Sequence, residues 1–256
     1  DSKPTYHTVL SFLDNYMPGL KDHVVLYEGS EPIFDAYNLE GDISRALKRK
    51  VWLKSGGYIL IEHTEALVAI DVNTGRYVGK HNLEETILKT NLEAVKEIAY
   101  QIRLRDLGGI IIIDFIDMEK RSNQEKVFNA LKEALKKDKS KTHVLPISEM
   151  GLIQMTRKRT RESLEHILCS SCPTCGGRGS VKTAETVCYE IFREILREAR
   201  QFDSQQLLVL AAQEVVDLLL DEESTSLAEL EAFIDKPIKF QVEALYTQEQ
   251  FDVVLL

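Results

Sequence analysis

The sequence predicts an α/β chain with two parts. Three observations carry this expectation. Two apolar, β-branched runs each end in an aspartate: Glu65-Ala-Leu-Val-Ala-Ile-Asp71 and Gly108-Gly-Ile-Ile-Ile-Ile-Asp114. A long amphipathic segment lies between them, as a crossover helix does between parallel strands. A cysteine cluster at Cys169, Cys172 and Cys175 then separates this region from a second, smaller succession of helices and strands. Apolar residues make up 44% of the 256, enough to build a core in both parts.

Taken in order, the opening stretch predicts a helix over Thr8 to Tyr16, stopped by Pro18-Gly19. A short strand is expected at Val24 to Tyr27, then one or two short helices between Pro32 and Leu47. This stretch has too little apolar material to be a domain alone, and the chain begins at Asp1, so we expect a fragment lacking an N-terminal portion. A turn at Lys54-Ser-Gly-Gly57 precedes a hairpin of Tyr58 to Ile61 and Ala66 to Ile70, joined through Glu62-His-Thr-Glu65. Asn82 to Arg105 is the clearest helix. Leu88, Leu92, Val95, Ala99 and Ile102 form one stripe, Asn82 caps the start, and Gly108-Gly109 stop the end. Asp106 is expected at the helix end. A second amphipathic helix spans Asn123 to Lys137, with strands at His143 to Ile147 and Gly151 to Met155. Beyond the cysteines we expect a helix over Glu185 to Arg200, a strand at Leu207 to Ala211, short helices at Val215 to Leu220 and Ser226 to Phe233, and a strand at Pro237 to Val242. The apolar terminus Phe251 to Leu256 suggests a segment that docks on a partner.

An aspartate closing a buried strand lies at the sheet rim, where α/β proteins collect their ligand sites. Two such carboxylates repel each other, and a hard cation such as Mg²⁺ relieves the repulsion. An Asx-turn at Asp71 and a helix cap at Asp114 would explain one such run. Two of the same form joined by a helix favour a metal site. The spacing Cys172-Pro-Thr-Cys175 suits tetrahedral zinc, and the glycines after it let amides turn toward thiolates. Zinc needs four ligands, so either Cys169 and Cys188 complete the site or a second copy of the chain does. Four cysteines with this spacing suggest a metal in a reducing compartment, which places the protein in the cytoplasm, rather than a disulfide framework. The net charge of −9 argues against a simple polycation. Basic residues nevertheless cluster at Arg45 to Lys54 and at Arg157, Lys158, Arg159 and Arg161, as a working surface for an anionic polymer would require. No apolar run approaches the roughly 18 residues of a membrane span.

Several motifs occur in a fixed order. They are Lys54-Ser-Gly-Gly-Tyr-Ile, Thr64-Glu-Ala-Leu-Val-Ala-Ile-Asp71-Val-Asn73, Leu104-Arg-Asp-Leu-Gly-Gly, Ile113-Asp114-Phe-Ile-Asp-Met118 and Cys172-Pro-Thr-Cys175. Together they resemble the ribonuclease E/G family over nearly the whole chain, and the tail resembles the shorter, G-type branch. The resemblance implies a partial ribonuclease-H-like segment over 1–50, a deoxyribonuclease-I-like catalytic subdomain over 51–168, a zinc link over 169–182 and a small α/β domain over 183–256. The family's S1 domain and most of its 5′-end sensor would precede Asp1.

The resemblance further implies cleavage of single-stranded A/U-rich RNA to 5′-phosphate and 3′-hydroxyl ends, in rRNA processing and mRNA decay. Asp71 and Asp114 would hold Mg²⁺, with Asn73 at the same site. Cys172 and Cys175 would share one Zn²⁺ with a second chain, making a homodimer. Lys141 stands where a basic residue engages the RNA 5′-phosphate, and Arg157, Arg159 and Arg161 would hold the RNA backbone. Asp117 is expected to support the site or cap a helix rather than bind the metal. Tyr77 would suit base stacking, while Phe115 is expected in the core and no catalytic role falls to His63 or His143. Two rival readings use the same residues: another metal-dependent phosphoesterase, or a zinc-linked platform inactive without its RNA-binding half. The isolated fragment is expected to be weak or inactive.

Overall fold

The computed structural model describes residues 1–75 and 83–256. Asn82 and Tyr77, expected as a helix cap and a stacking residue, lie outside the described residues. The chain divides into two compact units, Asp1–Cys169 and Ser170–Leu256.

The first unit opens with helix α1, Lys3–Tyr16. Ser2 caps it by accepting from the Thr5 amide, and Pro4 sits in the first turn, where its missing N–H costs nothing. A 3₁₀ turn over Pro18–His23 follows. The strand expected at Val24 to Tyr27 does not form. Among the described residues the segment pairs with no ladder, and Val25 is 82% exposed. Short helices α2, Ile33–Ala36, and α3, Leu39–Ala46, complete the opening.

Six strands then form one sheet: β1 Lys50–Trp52, β2 Tyr58–His63, β3 Leu67–Asn73, β4 Gly109–Asp114, β5 Thr142–Val144 and β6 Leu152–Arg157. Their order is β1-β2-β3-β4-β6-β5. Only β3 and β4 are parallel, and the crossover between them includes α4, Leu83–Leu104. This helix and α5, Arg121–Leu135, supply the apolar side chains that close one face of the sheet. Alternation decides which strand residues meet them. Ile59, Ile61, Val68, Ile70, Val72, Ile111, Ile113, Ile153 and Met155 point into this core and are nearly water-free. The alternate positions point to the other face, where Ile110 is 49% and Trp52 61% exposed.

Helix α4 ends differently from expectation. Asp106 takes the left-handed conformation (φ 52°) that usually falls to glycine, and the Leu107 amide closes back onto the Ile102 carbonyl. Gly108 serves a close approach instead: a Cβ there would lie 2.4 Å from Cγ of Arg159.

The second unit has a three-stranded sheet of order β8-β7-β9. Its strands are β7 Leu207–Ala211, β8 Ile238–Val242 and β9 Phe251–Leu255, with helices α7 Ala184–Gln201, α8 Gln213–Leu220 and α9 Ser224–Ile234. Before it, α6 spans Leu164–Leu168 in the first unit. Val187, Ile191 and Ile195 of α7 pack with Leu207 and Val209 of β7. The apolar terminus is a correction to the expected partner-docking segment. It is β9, and it satisfies its backbone antiparallel to β7, with Val253 opposite Val209. No helix among the described residues is long and apolar enough to cross a membrane.

Candidate metal and nucleic-acid site

The parallel pairing of β3 and β4 sets Asp71 directly opposite Asp114. Neighbouring strands lie about 4.8 Å apart, so the two carboxylates share one small patch. Both side chains point to the face that α4 and α5 leave open, and both are exposed. The electrostatic cost is visible on Asp114. Partial burial, then the carboxylates of Asp71 and Asp117, push its carboxyl above the ordinary aspartate range. Asn73 lies two residues beyond Asp71 on the same face. Its Nδ2 donates to Oδ2 of Asp71 at 2.7 Å, which fixes the carboxylate's orientation.

The loop after Asp114 is held by side chains that the sequence reading missed. Asn91, fully buried on α4, donates from Nδ2 to the Ile116 carbonyl at 2.8 Å and accepts from the Ile116 amide at 3.1 Å. Glu84 accepts from the amides of Glu119 and Lys120 and from Asn123. Glu93 accepts from the amides of Lys54 and Ser55 and so holds the turn before β2. A polar Asn91 between Leu88 and Val95 in the buried stripe was the available signal. Phe115 is core, as expected, and Asp117 bears on the site through its charge near Asp114.

Lys141, Arg157, Arg159 and Arg161 gather elsewhere. Arg157 pairs with Gly109 at the start of β4 and with Thr142 at the start of β5, so Lys141, Arg159 and Arg161 lie at that end too. The end bearing Asp71 and Asp114 is five residues along β4, about 17 Å away at 3.3 Å per residue. A cleft of about 620 Å³ opens at the basic end, lined by His63, Arg159, Arg161 and His166 among others. Lys141 is exposed, and its carbonyl accepts from the Lys158 amide. Arg159 is exposed and donates to the Gly108 carbonyl, and Arg161 reaches Asp106 while remaining 75% exposed.

Arg157 corrects the expectation that it holds RNA. It is 5% exposed, and its guanidinium is committed to Asp106, Asp138 and the Leu107 carbonyl. The alternation Ile153, Met155, Arg157 turns it inward. His63 faces Glu165 at 3.4 Å, and burial lowers its pKa despite that partner.

In the second unit, Cys172 and Cys175 lie on a tight turn. The Gly176 amide donates to the Cys172 carbonyl at 2.8 Å and the Arg178 amide to the Cys175 carbonyl at 3.0 Å. Backbone amides of Cys175 and Thr174 lower the pKa of the exposed Cys172 thiol, as a thiolate ligand needs. Cys188 does not join them. It is buried in the core of α7, its thiol rests 3.7 Å from the Val215 carbonyl, and burial pushes its pKa up to about 11. This removes Cys188 from the ligands considered for the cysteine turn. Cys169 is exposed. Among the described residues no three or more His, Cys, Asp or Glu side chains are grouped to hold a metal.

The chain belongs to the ribonuclease E/G family. Residues 1–160 match the Ribonuclease E/G family, and residues 171–255 match the domain described as RNase E/G, Thioredoxin-like domain. It is 54% identical over 256 residues to ribonuclease G of Escherichia coli, covering 100% of this chain and 52% of that protein. Ribonuclease G of Haemophilus influenzae is 55% identical over 257 residues, with coverages of 100% and 52%. Ribonuclease E of Escherichia coli is 40% identical over 214 residues, 84% of this chain and 20% of that protein. The chain thus spans about half the length of the ribonuclease G relatives.

Proposed function

We propose that this chain is the catalytic and oligomerisation half of a Mg²⁺-dependent endoribonuclease of the cytoplasm. Its substrate is single-stranded A/U-rich RNA, as in rRNA processing and mRNA decay, and its products carry 5′-phosphate and 3′-hydroxyl ends. The observation that carries the reading is the pairing of Asp71 with Asp114 on an open sheet face, in a chain of the ribonuclease E/G family. Mg²⁺ is commonly bound through one or two carboxylates while keeping several waters. Two exposed, mutually repelling carboxylates fit that habit. Bound between Asp71 and Asp114, the ion would supply positive charge to the phosphate oxygens and an acidified water. Asn73 donates to Asp71 and so orients one of the two carboxylates that would hold the ion. Lys141, Arg159 and Arg161 would take phosphates at the far end of the strands, so the RNA end they hold lies several residues' length from the scissile bond. Lysine at 141 offers a point charge rather than a bidentate fork.

Residues 1–50 would be the partial ribonuclease-H-like segment and 51–168 the deoxyribonuclease-I-like subdomain. The start of the six-stranded sheet at Lys50 supports that boundary. Residues 169–182 would be the zinc link to the domain over 183–256. Cys172 and Cys175 supply half of a tetrahedral zinc site, which calls for the same pair from a second chain. The full-length protein should therefore carry half an equivalent of zinc per chain and run as a dimer. The double change Cys172→Ser, Cys175→Ser should lose both, read by metal analysis and light scattering. A zinc-free variant that stays dimeric would count against the shared site.

The reading itself is tested by incubating the full-length protein with a single-stranded A/U-rich oligoribonucleotide. Cleavage should need Mg²⁺, stop with chelator, and leave 5′-phosphorylated products. Equal cleavage of single-stranded DNA would favour a broader phosphoesterase.

A further inference from the structure

We propose that Lys50, Trp52 and Tyr58 form a stacking platform for one unpaired base of the RNA strand presented to Asp71 and Asp114. The inference rests on the endoribonuclease reading and adds a binding subsite to it. Its basis is register. Trp52 opposes Tyr58, and Tyr58 opposes Asn73; two residues along, Lys50 opposes Leu60, Leu60 opposes Asp71, and Asp71 opposes Asp114. Directly opposed residues project to the same face. Trp52 and Tyr58 therefore stand in one row with Asn73, and Lys50 stands in one row with both aspartates. Trp52 is two strands from Asn73, about 10 Å.

Trp52 is not core. Its neighbours Val51 and Leu53 turn inward and are buried, whereas Trp52 stands 61% exposed on an edge strand. Its ring meets that of Tyr58 edge to face at 5.3 Å. The Lys50 ammonium sits 4.0 Å from the Trp52 centroid and 3.5 Å from that of Tyr58. An indole with exposed surface, braced by a second ring and carrying a cation, matches what single-stranded nucleic acid requires: a π-face for the base and positive charge for the adjoining phosphate. Lys48 and Lys54 are exposed on the same short stretch and extend that charge, while the neighbouring Arg49 is paired with Glu62. Continuity with the carboxylate pair fixes the occupant as a base close to the scissile phosphate.

The test measures affinity and cleavage separately in the full-length protein. The probes are a fluorescein-labelled, single-stranded A/U-rich oligoribonucleotide and a series of the same oligomer with one abasic position each. Trp52→Ala should bind the intact oligomer about tenfold more weakly, the lower end of base–aromatic stacking. One abasic position should cost the wild type the same factor and cost Trp52→Ala nothing further, because both remove the same contact. Trp52→Phe should restore most of the affinity. Tyr58→Leu, which keeps the indole but removes its brace, should weaken binding in the same abasic-dependent way. If every abasic position costs wild type and Trp52→Ala alike, the platform is overturned while the endoribonuclease reading stands. If the wild type binds but Mg²⁺ gives no cleavage, that reading fails, and the platform as a subsite of the reaction fails with it. Failure of the wild type to bind overturns both.

Discussion

Asp114→Asn in the full-length protein should lower the rate of RNA cleavage by about a hundred- to a thousandfold, the equivalent of several kcal/mol of lost charge stabilisation. Stability should not fall with it. The Asp114 carboxyl is held above the ordinary aspartate range by burial and by its neighbours Asp71 and Asp117. An acid whose pKa is raised by folding gives up stability as the pH rises through that range. Asparagine has nothing to ionise, so the metal-free variant at neutral pH should melt at the same temperature as the wild type or slightly above it. An inactive protein of unchanged or higher melting temperature is what a functional carboxylate pair predicts, because its repulsion serves the ligand and not the fold. A variant that loses activity together with its cooperative melting transition would point instead to a structural role for Asp114.

The same reasoning separates Asp71 from Asn73. Asp71→Asn removes a ligand charge and should resemble Asp114→Asn. Asn73 acts on the carboxylate through its 2.7 Å hydrogen bond. Its loss leaves both charges in place, and excess Mg²⁺ should recover part of the activity. A loss equally deep in Asn73→Ala at all Mg²⁺ concentrations would mean that Asn73 touches the substrate as well.

Much of this site was legible before the fold was known, and the reason is local. A buried strand announces itself by a short β-branched run, and an aspartate closing the run must stand at the rim. Two such runs with a helix between them imply parallel neighbours, and β3 and β4 pair with the two aspartates in register. What was not legible depends on partners distant in sequence. Val24 to Tyr27 has strand composition but, among the described residues, no strand beside it. Phe251 to Leu255 is apolar but for Asp252, and that composition does not say whether the sheet it joins is its own. Trp52 and Tyr58 are six residues apart, and only the pairing of β1 with β2 brings their rings together. Arg157 differs from its sequence neighbours in being buried. Lys158, Arg159 and Arg161 are exposed, and the charge run suggested one surface. The period-two pattern Ile153, Met155, Arg157 carried the contrary signal. Asp106 and Asp138, which take up its charge, are 51 and 19 residues away.

That burial makes Arg157→Met the substitution with the largest expected effect on stability. Its side chain is 5% exposed, and its carboxylate partners Asp106 and Asp138 are 7% and 3% exposed. Methionine fills similar space but leaves two buried carboxylates with too few donors; among the described residues Asp106 keeps only Arg161, which is largely in water. Breaking a buried pair in this way costs about 3–5 kcal/mol. The pH dependence identifies the cause. Burial alone would raise both carboxyls, but the hydrogen bonds from Arg157, joined by Arg161 at Asp106 and by the Ser140 amide at Asp138, prevail and hold both below the ordinary range. A carboxyl depressed by folding contributes stability that is present above its unfolded pKa, about 3.9, and is lost as the pH falls through its folded value. Wild type should therefore lose stability on acidification below about pH 4. In Arg157→Met the same carboxylates gain by protonation, so the gap in melting temperature should be widest at neutral pH and should narrow as the pH falls. Replacing both carboxylates as well, by Asp106→Asn and Asp138→Leu, should return much of the lost stability, since a buried ion network exchanged as a whole for neutral groups is often near neutral in energy. A gap that stays constant with pH would mean that Arg157 acts by filling space. A gap that narrows would show that Arg157 acts through its charge on Asp106 and Asp138, at the end of the sheet where β4 begins.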